Sequence, residues 1–424
     1  MSNKLPKDWK HINLGSIAKV KGGKRLPKGH TYATEITNLP YIRVTDFGNQ
    51  TISFEKLKHL NTDTQKVIKN YTISNEDVYI SIAGTIGVTG IIPQKLNGAN
   101  LTENAAKITE LIDCDKKFLS RFLSSLDGQS QIKESTKTTT QPKLSLYRIA
   151  EIIIPLPPLE IQHAIVSKIE ELFSELDKGI EDLKIAQQQL KTYRQSVLKW
   201  AFEGKLTNEN VKDGELPKGW EIYKIGEVCK TVDGDRGPNY PKKEEFSKEG
   251  FCLYLSTKNV REDRFLFDET IFITKEKDEK LRSGKLQLND VVITTRGTLG
   301  NVALYDSKIP FQHVRINSGM LILRITNELL SNYYLMKFIT SPIFINQLKN
   351  KQTGTAQPQI PANILREIEI PLPITLKEQH QIVQEIESRL SVADKMEESI
   401  VQSLLQAESL RQSILKKAFE GKLV

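Results

Sequence analysis

Two long stretches of the chain carry apolar residues at regular steps of three or four positions. In the first stretch these residues are Ile165, Ile169, Leu172, Leu176, Ile180, Leu183, Ala186, Leu190, Tyr193 and Val197. In the second stretch they are Ile382, Ile386, Leu390, Ala393, Ile400, Leu404, Ala407, Leu410 and Ile414. This spacing is typical of the seam of a coiled coil, so it predicts two helices of roughly 40 residues, each ~60 Å long at ~1.5 Å per residue.

Prolines and glycines mark the ends of both predicted helices. The prolines of IPLPPL, from Ile154, and IPLPI, from Ile370, precede the helices, and Gly204 and Gly421 follow them. Each helix could belong to a local bundle, but two similar helices in one chain favour pairing with each other. Because a whole domain lies between them, an antiparallel pair is the easiest to connect.

The stretches outside the helices contain short β-rich runs that end in glycine or in polar turns. The runs are YIRVTDF, DVYISIAG and AAKITEL in the first half of the chain, and LYLSTKNV, VVITTRG and GMLILRIT in the second. They predict two α+β domains, each with its own core. The predicted division is 1–153 and 207–369 for the mixed domains, with helical regions at 154–206 and 370–424.

The chain also contains an internal repeat of about half its length. LPKDW from Leu5 matches LPKGW from Leu216, and RQSVLKWAFEGKL from Arg194 nearly duplicates RQSILKKAFEGKL from Arg411. Between these ends the two copies share only scattered anchors, such as DVYISIAGTIG and DVVITTRGTLG. The repeat predicts helices that do the same job twice and mixed domains that do related but different jobs.

Composition points to a polyanionic partner only weakly. Lysine and arginine number 60 against 52 for aspartate and glutamate, which gives a net charge of +8 and a pI near 9.0. Many proteins are this basic, although each phosphate neutralised by a basic residue releases counterions. The N-terminus lacks the apolar core of a secretion signal, and Cys114, Cys229 and Cys252 have no metal-like spacing, so we expect reduced thiols and a cytoplasmic location.

Signatures of catalysis are absent from the sequence. We find no GxxxxGK[ST] phosphate loop, no glycine-rich turn for S-adenosylmethionine or a dinucleotide, and no NPPY-like methyltransferase segment. KGGK near Lys21 and DGDRG near Asp233 do not open a helix after a strand. The histidines never cluster at metal-ligand spacing, and His163 and His380 are better explained by packing or capping at helix starts. We therefore predict no catalytic residue, no metal site and no cofactor in this chain.

Loops of the two mixed domains carry hydrogen-bond donors at matched positions. In the first domain the candidates for binding DNA are Lys24, Arg25, Lys28, Arg43, Thr45, Thr85, Asn104 and, in the tract TKTTTQP, Thr139, Thr140 and Gln141. In the second domain they are Asp235, Arg236, Asn239, Tyr240, Lys242, Lys243, Thr257, Lys258, Asn259, Arg296, Arg315, Asn317 and, in the tract KQTGTAQP, Thr353, Thr355 and Gln357.

The pairing of the two sets supports a shared role. Ser256 to Asn259 align with Arg43 to Asp46, Arg296 with Ala83, and Arg315 and Asn317 with Thr102 and Asn104. Arg, Lys, Asn and Gln read base edges, Thr, Ser and backbone N–H groups hold phosphates, and neighbouring glycines let the backbone approach a duplex closely. For any single residue, ordinary loop chemistry is the better explanation. Because the set as a whole recurs at matched positions in both domains, a role in reading DNA sequence is the better explanation for the set.

On these motifs the chain resembles the specificity subunit of type I restriction–modification systems. The resemblance rests on LPKDW and LPKGW, on IPLPPLEIQH and IPLPITLKEQH, and on the twin AFEGKL endings, and so it covers essentially the whole chain. DGDRGPNYPKK, LSTKNV, TTRGTLGN and RINSG resemble one recurring type of target recognition domain. One departure is Ile161 in LEIQH, where a Glu–Gln pair is usual; the second copy keeps Glu378 and Gln379.

This resemblance implies a complete architecture and a set of partners. Two α/β-mixed target recognition domains are separated by two long antiparallel coiled-coil helices in a pseudo-twofold internal repeat. Each domain binds one half of a bipartite site on double-stranded DNA. The helices dock two modification subunits, which bind S-adenosylmethionine and methylate adenine after base flipping. Restriction subunits add ATP- and Mg-dependent translocation and cleavage, so these cofactors belong to the partners.

Two other interpretations of the sequence remain. A single-chain enzyme that reads and also cuts or methylates DNA requires a catalytic motif, and none is found. A coiled-coil scaffold that binds no nucleic acid leaves the matched polar loops unexplained.

Overall fold

A computed structural model describes residues 6–48, 50–136, 142–208, 210–261, 263–351 and 359–424 of the chain. The chain divides into two compact units, residues 1–184 with 401–424 and residues 185–400. Each unit combines one mixed domain with parts of both long helices. In the described part of the chain, no helix is both long and apolar enough to cross a membrane.

The first unit holds a domain of short strands and helices. Its strands are β1 (Lys10–Asn13), β2 (Lys19–Gly22), β3 (Pro40–Ile42), β4 (Lys58–His59), β5 (Thr72–Ile73), β6 (Val78–Ser81), β7 (Thr89–Ile91), β8 (Ala99–Leu101), β9 (Ala105–Thr109) and β10 (Ile153–Leu156). Its helices are α1 (Thr62–Val67), α2 (Lys116–Ser124), α3 (Leu126–Glu134) and α4 (Leu146–Ala150), followed by the long α5 (Leu159–Phe202).

Two four-stranded sheets form the body of this first domain. One has the order β2-β9-β6-β7 and is antiparallel throughout, and the other has the order β4-β3-β8-β5 with β3 and β8 parallel. Strands β1 and β10 pair separately, which brings the beginning of the domain beside the start of α5. The first sheet packs on α2 through buried residues such as Ile80, Ile108 and Phe118.

The second unit holds a domain of the same plan. Its strands are β11 (Trp220–Lys224), β12 (Cys229–Asp233), β13 (Cys252–Leu255), β14 (Val260–Arg261), β15 (Arg264–Phe265), β16 (Phe272–Ile273), β17 (Asp290–Thr294), β18 (Val302–Tyr305), β19 (Val314–Ile316), β20 (Met320–Ile325) and β21 (Glu369–Pro373). Its helices are α6 (Ile225–Val228), α7 (Lys275–Lys280), α8 (Asn332–Ile339), α9 (Pro342–Lys351) and α10 (Ala362–Arg366), followed by the long α11 (Leu376–Phe419).

Sheet topology repeats between the two domains. The antiparallel sheet β12-β20-β17-β18 corresponds to β2-β9-β6-β7, and β16-β13-β19, with β13 and β19 parallel, corresponds to β4-β3-β8. Strands β11 and β21 pair as β1 and β10 do. The predicted α+β class and internal repeat are therefore confirmed.

The long helices run antiparallel within each unit. In the second unit, Arg194 forms ion pairs with Asp394 (2.5 Å) and Glu397 (3.0 Å), and Phe202 shares a core with Ile382. In the first unit, Arg411 pairs with Asp177, while Ile165 and Ile169 share a core with Ala418 and Phe419. In both units, residue numbers on α5 rise as those on α11 fall, as predicted.

Most of the predicted seam residues are buried or half-buried, but two are not. Tyr193 and Leu410 are exposed, although both were predicted at the seam. At these two positions the next residues, Arg194 and Arg411, turn toward the facing helix and form its ion pairs. A charged residue thus replaces an apolar one in the seam.

The ends of both long helices are defined by glycine and by the motif that opens a domain. Gly204 and Gly421 have φ of +75° and +68°, a conformation that L-residues with a Cβ rarely adopt. Gly204 packs against Pro217 of LPKGW, and Gly421 packs in the same way against Pro6 of LPKDW. The repeated sequence motifs are therefore two halves of one repeated contact.

A buried glutamine holds the start of each long helix against its domain. Gln162 accepts a hydrogen bond from the Asp115 backbone N–H (2.8 Å) and donates to the carbonyls of Asp113 and Pro157. Gln379 makes the corresponding bonds to the backbone of Ser331, Leu329 and Pro373. Both side chains are fully buried, so this glutamine, rather than the neighbouring His163 or His380, performs the positioning role.

Candidate nucleic-acid interface

A three-residue turn after β19 brings together the loops of the second domain. The backbone N–H of Asn317 donates to the Leu255 carbonyl (3.0 Å), which ties the turn to the end of β13. The N–H groups of Thr295 and Arg296 donate to the Gly319 carbonyl (2.8 and 3.2 Å), which ties it to the end of β17. We call residues 317–319 the central turn of the second domain.

Two glycines allow this close approach. A Cβ on Gly234, which follows β12, would lie 2.0 Å from the Asn317 carbonyl oxygen, and a Cβ on Gly319 would lie 2.9 Å from Cγ2 of Thr257. Real Cβ atoms do not lie this close to other atoms, so a side chain at either position would force the neighbouring residues to shift. Loops 234–237, 256–259 and 295–300 therefore meet at the central turn, and we call them together the loop face of the second domain.

The first domain builds the same face. The N–H of Thr102 donates to the Ile42 carbonyl (3.0 Å), and the N–H groups of Ile82 and Ala83 donate to the Asn104 carbonyl (2.8 and 3.3 Å). A Cβ on Gly23 would lie 2.1 Å from the Thr102 carbonyl oxygen. Residues 102–104 are thus the central turn of the first domain, and its loop face consists of 23–25, 43–46 and 82–85.

Strand pairing corrects one alignment made from the sequence. Ile42 pairs with Leu101, and Leu255 pairs with Ile316, so Asn317 corresponds to Thr102 and Arg315 to Asn100. The predicted match of Arg315 with Thr102 and of Asn317 with Asn104 is therefore wrong by two residues. The second domain has a longer connection between β18 and β19 than the first has between β7 and β8, which displaces the register.

Two of the predicted arginines are held inside their own domains. Arg43 forms a two-pronged contact with Asp46 (3.1 and 2.7 Å) and donates to the Lys56 carbonyl, and its hydrogen bond to Asp46 raises the pKa of the guanidinium. Arg315 is buried and donates from Nε to Asp278 (2.5 Å) and from its other nitrogens to three backbone carbonyls. Asn100, its counterpart, also donates to backbone carbonyls at the end of a short helix.

Asn259 and Asp235 also use their polar groups internally. Asn259 accepts from the N–H and hydroxyl of Ser256 and donates to two backbone carbonyls, which uses both ends of the amide. Asp235 accepts from the N–H groups of Gly237 (2.7 Å) and Arg282 (2.6 Å). Burial by itself would raise the pKa of Asp235, but these backbone hydrogen bonds have the larger opposite effect, so the pKa lies below its ordinary value. Both side chains shape the loops.

Three arginines remain available on the loop faces. The side chains of Arg25 and Arg236 are 76% and 52% exposed, and they occupy equivalent positions two residues after Gly23 and Gly234. Arg236 reaches the Ser318 carbonyl (3.4 Å) and Asp233 (3.3 Å), both long contacts. Arg296 is exposed, and its side chain has no hydrogen-bond or ion-pair partner among the residues that the structure describes.

The other predicted residues divide by exposure. Those with exposed side chains are Lys24, Lys28, Thr45, Thr85, Asn104, Lys242, Lys243 and Lys258. Those that are half-buried are Asn239, Tyr240, Thr257 and Asn317. Thr139, Thr140, Gln141, Thr353, Thr355 and Gln357 lie outside the described residues.

The sequence analysis missed the residues at the middle of each central turn. These are Glu103 in the first domain and Ser318 in the second. Ser318 lies within the RINSG motif and Glu103 in no motif, and the glycines that contact the turns, Gly23 and Gly234, recur at equivalent positions and could have indicated both. Within the described ranges, no group of histidine, cysteine and acidic residues is arranged to hold a metal ion.

Comparisons with known proteins agree with this duplicated geometry. The family model of the type I restriction modification DNA specificity domain matches twice, at residues 6–184 and 217–405. The EcoBI specificity subunit of Escherichia coli is 25% identical over 98% of this chain and 86% of its own length. The MjaVIII specificity subunit of Methanocaldococcus jannaschii is 27% identical over 99% and 94%.

Solved structures share the fold. A chain from a study of complex assembly and conformational transition of the type I R-M system superposes with a TM-score of 0.74, at 20% identity over 99% of both chains. The HsdS subunit of Thermoanaerobacter tengcongensis gives 0.63, also at 20% identity, over 99% of this chain and 98% of that one. The chain therefore belongs to the type I restriction–modification DNA specificity domain family and carries two copies of its domain.

Proposed function

We propose that each domain binds one half of a bipartite DNA target with its loop face, as part of the DNA-recognition role of a type I specificity subunit. The observation that carries this proposal is one backbone frame, built twice, with different side chains. Both central turns donate one hydrogen bond and accept two from the ends of the same two neighbouring strands, yet Lys24 stands where the second domain has Asp235, and Glu103 where it has Ser318. A common frame with different donors suits two different half-sites.

The available side chains have the chemistry that such binding needs. Arginine can donate two hydrogen bonds to guanine in the major groove, whereas lysine and threonine chiefly hold phosphates. Arg25 and Arg236 project beside the central turns, and Lys24, Lys28, Lys242 and Lys243 are exposed in the adjoining loops. The locked residues Arg43, Arg315, Asn259 and Asp235 would hold these loops in place rather than contact DNA.

The long helices are the proposed docking sites for partner subunits. Apolar side chains are exposed on both helices and are available for contact with a partner. They are Ile185 and Trp200 on α5 and Val392, Met396, Val401 and Leu405 on α11. We propose that similar helices dock two modification subunits, and that S-adenosylmethionine, ATP and Mg act in the modification and restriction subunits, with no catalytic centre in this chain.

Replacing one of the equivalent arginines should alter one half-site only. We expect Arg25→Ala to relax a single base position in one half-site and Arg236→Ala to relax one in the other, each at a cost of ~1–3 kcal/mol on the target. The measurement is selection from a randomised DNA library by the full chain assembled with its modification subunits.

Arg43→Ala is the matched control, because Arg43 lies on the same face but is locked to Asp46 and the Lys56 carbonyl. Arg43→Ala should lower the stability of the loop but should not relax the base position that Arg25→Ala relaxes. Equal weakening of Arg25→Ala and Arg236→Ala on selected and random DNA would reject base reading and, with it, the proposed function.

Replacing an exposed lysine should weaken binding to all sequences alike. We expect Lys24→Ala, Lys242→Ala and Lys243→Ala each to reduce the slope of log K against log salt by ~1 and to leave the preferred sequence unchanged, because each removes one phosphate contact. Titrations at several salt concentrations on target and random duplexes measure the slope. A change in base preference would contradict the phosphate role.

A further inference from the structure

We propose that Glu103 determines specificity in the first domain by accepting a hydrogen bond from an exocyclic base amino group in the major groove. The inference rests on the proposed function and adds to it a residue of opposite charge. Glu103 is the middle residue of the first central turn, and its side chain is 30% exposed. Its Oε2 accepts a hydrogen bond from the Thr102 hydroxyl (2.9 Å), and its Oε1 lies 3.5 Å from Nε of Arg25.

The turn does not need this carboxylate for its own structure. Ser318 occupies the same place in the second domain, and the central turn there makes the same backbone bonds to its neighbouring strands. The carboxylate is therefore an addition to a frame that forms without it. In the second domain the acid near the equivalent arginine is Asp233, which lies at the end of β12 rather than on the turn.

The contact with Arg25 is too loose to account for the glutamate. The two atoms are 3.5 Å apart and the arginine side chain is 76% exposed, and exposed ion pairs of this kind contribute little to stability. Arg43 and Asp46 on the same face show what a structural pair looks like, with two bonds of 2.7 and 3.1 Å and an acid that is almost completely buried. Glu103 and Arg25 therefore both remain able to bind a ligand.

The position of Glu103 is unfavourable for contact with phosphate. Arg25 lies beside it, Lys24 and Lys28 are exposed in the same loop as Arg25, and a carboxylate among groups that bind phosphate repels the backbone of DNA. This cost is recovered only if the carboxylate meets a hydrogen-bond donor. In the major groove the base donors are the N4 amino group of cytosine and the N6 amino group of adenine.

Local packing holds the carboxylate ready for such a contact. Thr102 is buried and fixes one carboxylate oxygen. Tyr41 beside it is also buried, and that burial, opposed by Thr102 and assisted by the Glu103 charge, raises the pKa of Tyr41 to about 12. The Tyr41 hydroxyl donates its proton to the Lys24 carbonyl (2.8 Å) and so does not occupy the Glu103 carboxylate.

The test uses Glu103→Gln in the full chain assembled with its modification subunits. Glutamine keeps the shape but replaces one acceptor oxygen by a donor, so we expect a loss of about 10- to 100-fold in preference at one position of one half-site where the base is cytosine. Where the base is adenine, the amide can pair with both N6 and N7, so the preference should rise instead. Binding to random DNA should become tighter, because a negative charge is removed. Probes with each of the four bases at that position distinguish cytosine from adenine.

Two controls separate base contact from positioning. The same substitution in an Arg25→Ala background should still change the base preference; if the effect disappears there, Glu103 acts only by orienting Arg25 and the inference is overturned. Glu110→Gln, which removes the same charge from an exposed position of the first domain outside its loop face, should leave both half-sites unchanged. Unaltered preference in Glu103→Gln, together with an altered half-site in Arg25→Ala, would sink this inference and leave the proposed function standing.

Discussion

Phe419→Ala is expected to lower the free energy of unfolding of the first domain by about 3–5 kcal/mol and to leave the second domain folded. Phe419 lies near the end of α11 and is almost completely buried. Its ring packs edge-on against Phe118 and Phe122, with centroids 5.3 and 5.2 Å away. Truncation to alanine would leave a cavity between the helix and α2, because three aromatic rings share that space.

Hydrogen exchange resolved along the chain measures this effect. Protection should fall in strands β6 and β9 of the first domain and stay unchanged in β17 and β20 of the second. Phe202→Ala is the matched variant, because Phe202 at the end of α5 packs on Tyr334 and Phe338, at 5.0 and 5.3 Å. It should produce the opposite pattern. Equal loss of protection in both domains from either variant would contradict the division into two units.

The second large effect is expected from Arg315→Met. Removing the guanidinium leaves Lys285 as the one cation paired with the buried Asp278 carboxylate among the described residues. It also takes a donor from the carbonyls of Asp278, Leu281 and Ser283, of which that of Asp278 keeps the Leu281 N–H. Loss of one partner of a buried ion pair typically costs 3–5 kcal/mol, so we expect the second domain to be destabilised by about that amount. Arg296→Met is the control, because Arg296 is exposed; it should preserve stability and weaken DNA binding.

The pH dependence of this variant follows from Asp278. Burial by itself would raise the pKa of this carboxyl, but the hydrogen bonds from Lys285 and Arg315 have the larger opposite effect, so the pKa lies below its ordinary value. A carboxylate with a depressed pKa stabilises the fold above its unfolded pKa near 4, and this stabilisation is lost as pH falls through the folded value. The stability difference between wild type and Arg315→Met should therefore narrow below about pH 4. Denaturant unfolding at several pH values measures it, and a constant difference would contradict the ion-pair explanation.

The helices and the repeat were predictable because their signals are local. Seam residues recur within one turn of each other, and Gly204 and Gly421 stand beside nearly identical motifs, so no tertiary contact is needed to recognise them. The exposure of Tyr193 and Leu410 was not predictable in the same way. It depends on which neighbour, apolar or charged, faces the other helix.

The loop faces were predictable as regions but not residue by residue. A polar side chain in a loop has the same sequence signature whether it turns outward, as Arg236 does, or inward, as Arg315 does. The inward turn of Arg315 is decided by Asp278, which lies 37 residues away along the chain. Glu103 was missed for another reason: a single acidic residue in a loop carries no sequence pattern, and only its structural equivalence with Ser318 reveals it.

The composition of the first unit from residues 1–184 and 401–424 has a consequence for synthesis on the ribosome. Translation begins at the N-terminus, so the segment that carries Ile414, Leu415, Ala418 and Phe419 emerges after residues 185–400. The second unit, residues 185–400, leaves the ribosome ahead of that segment. The second unit can therefore fold first. Phe118 and Phe122 of the first domain stay uncovered until the part of α11 that carries Phe419 leaves the ribosome.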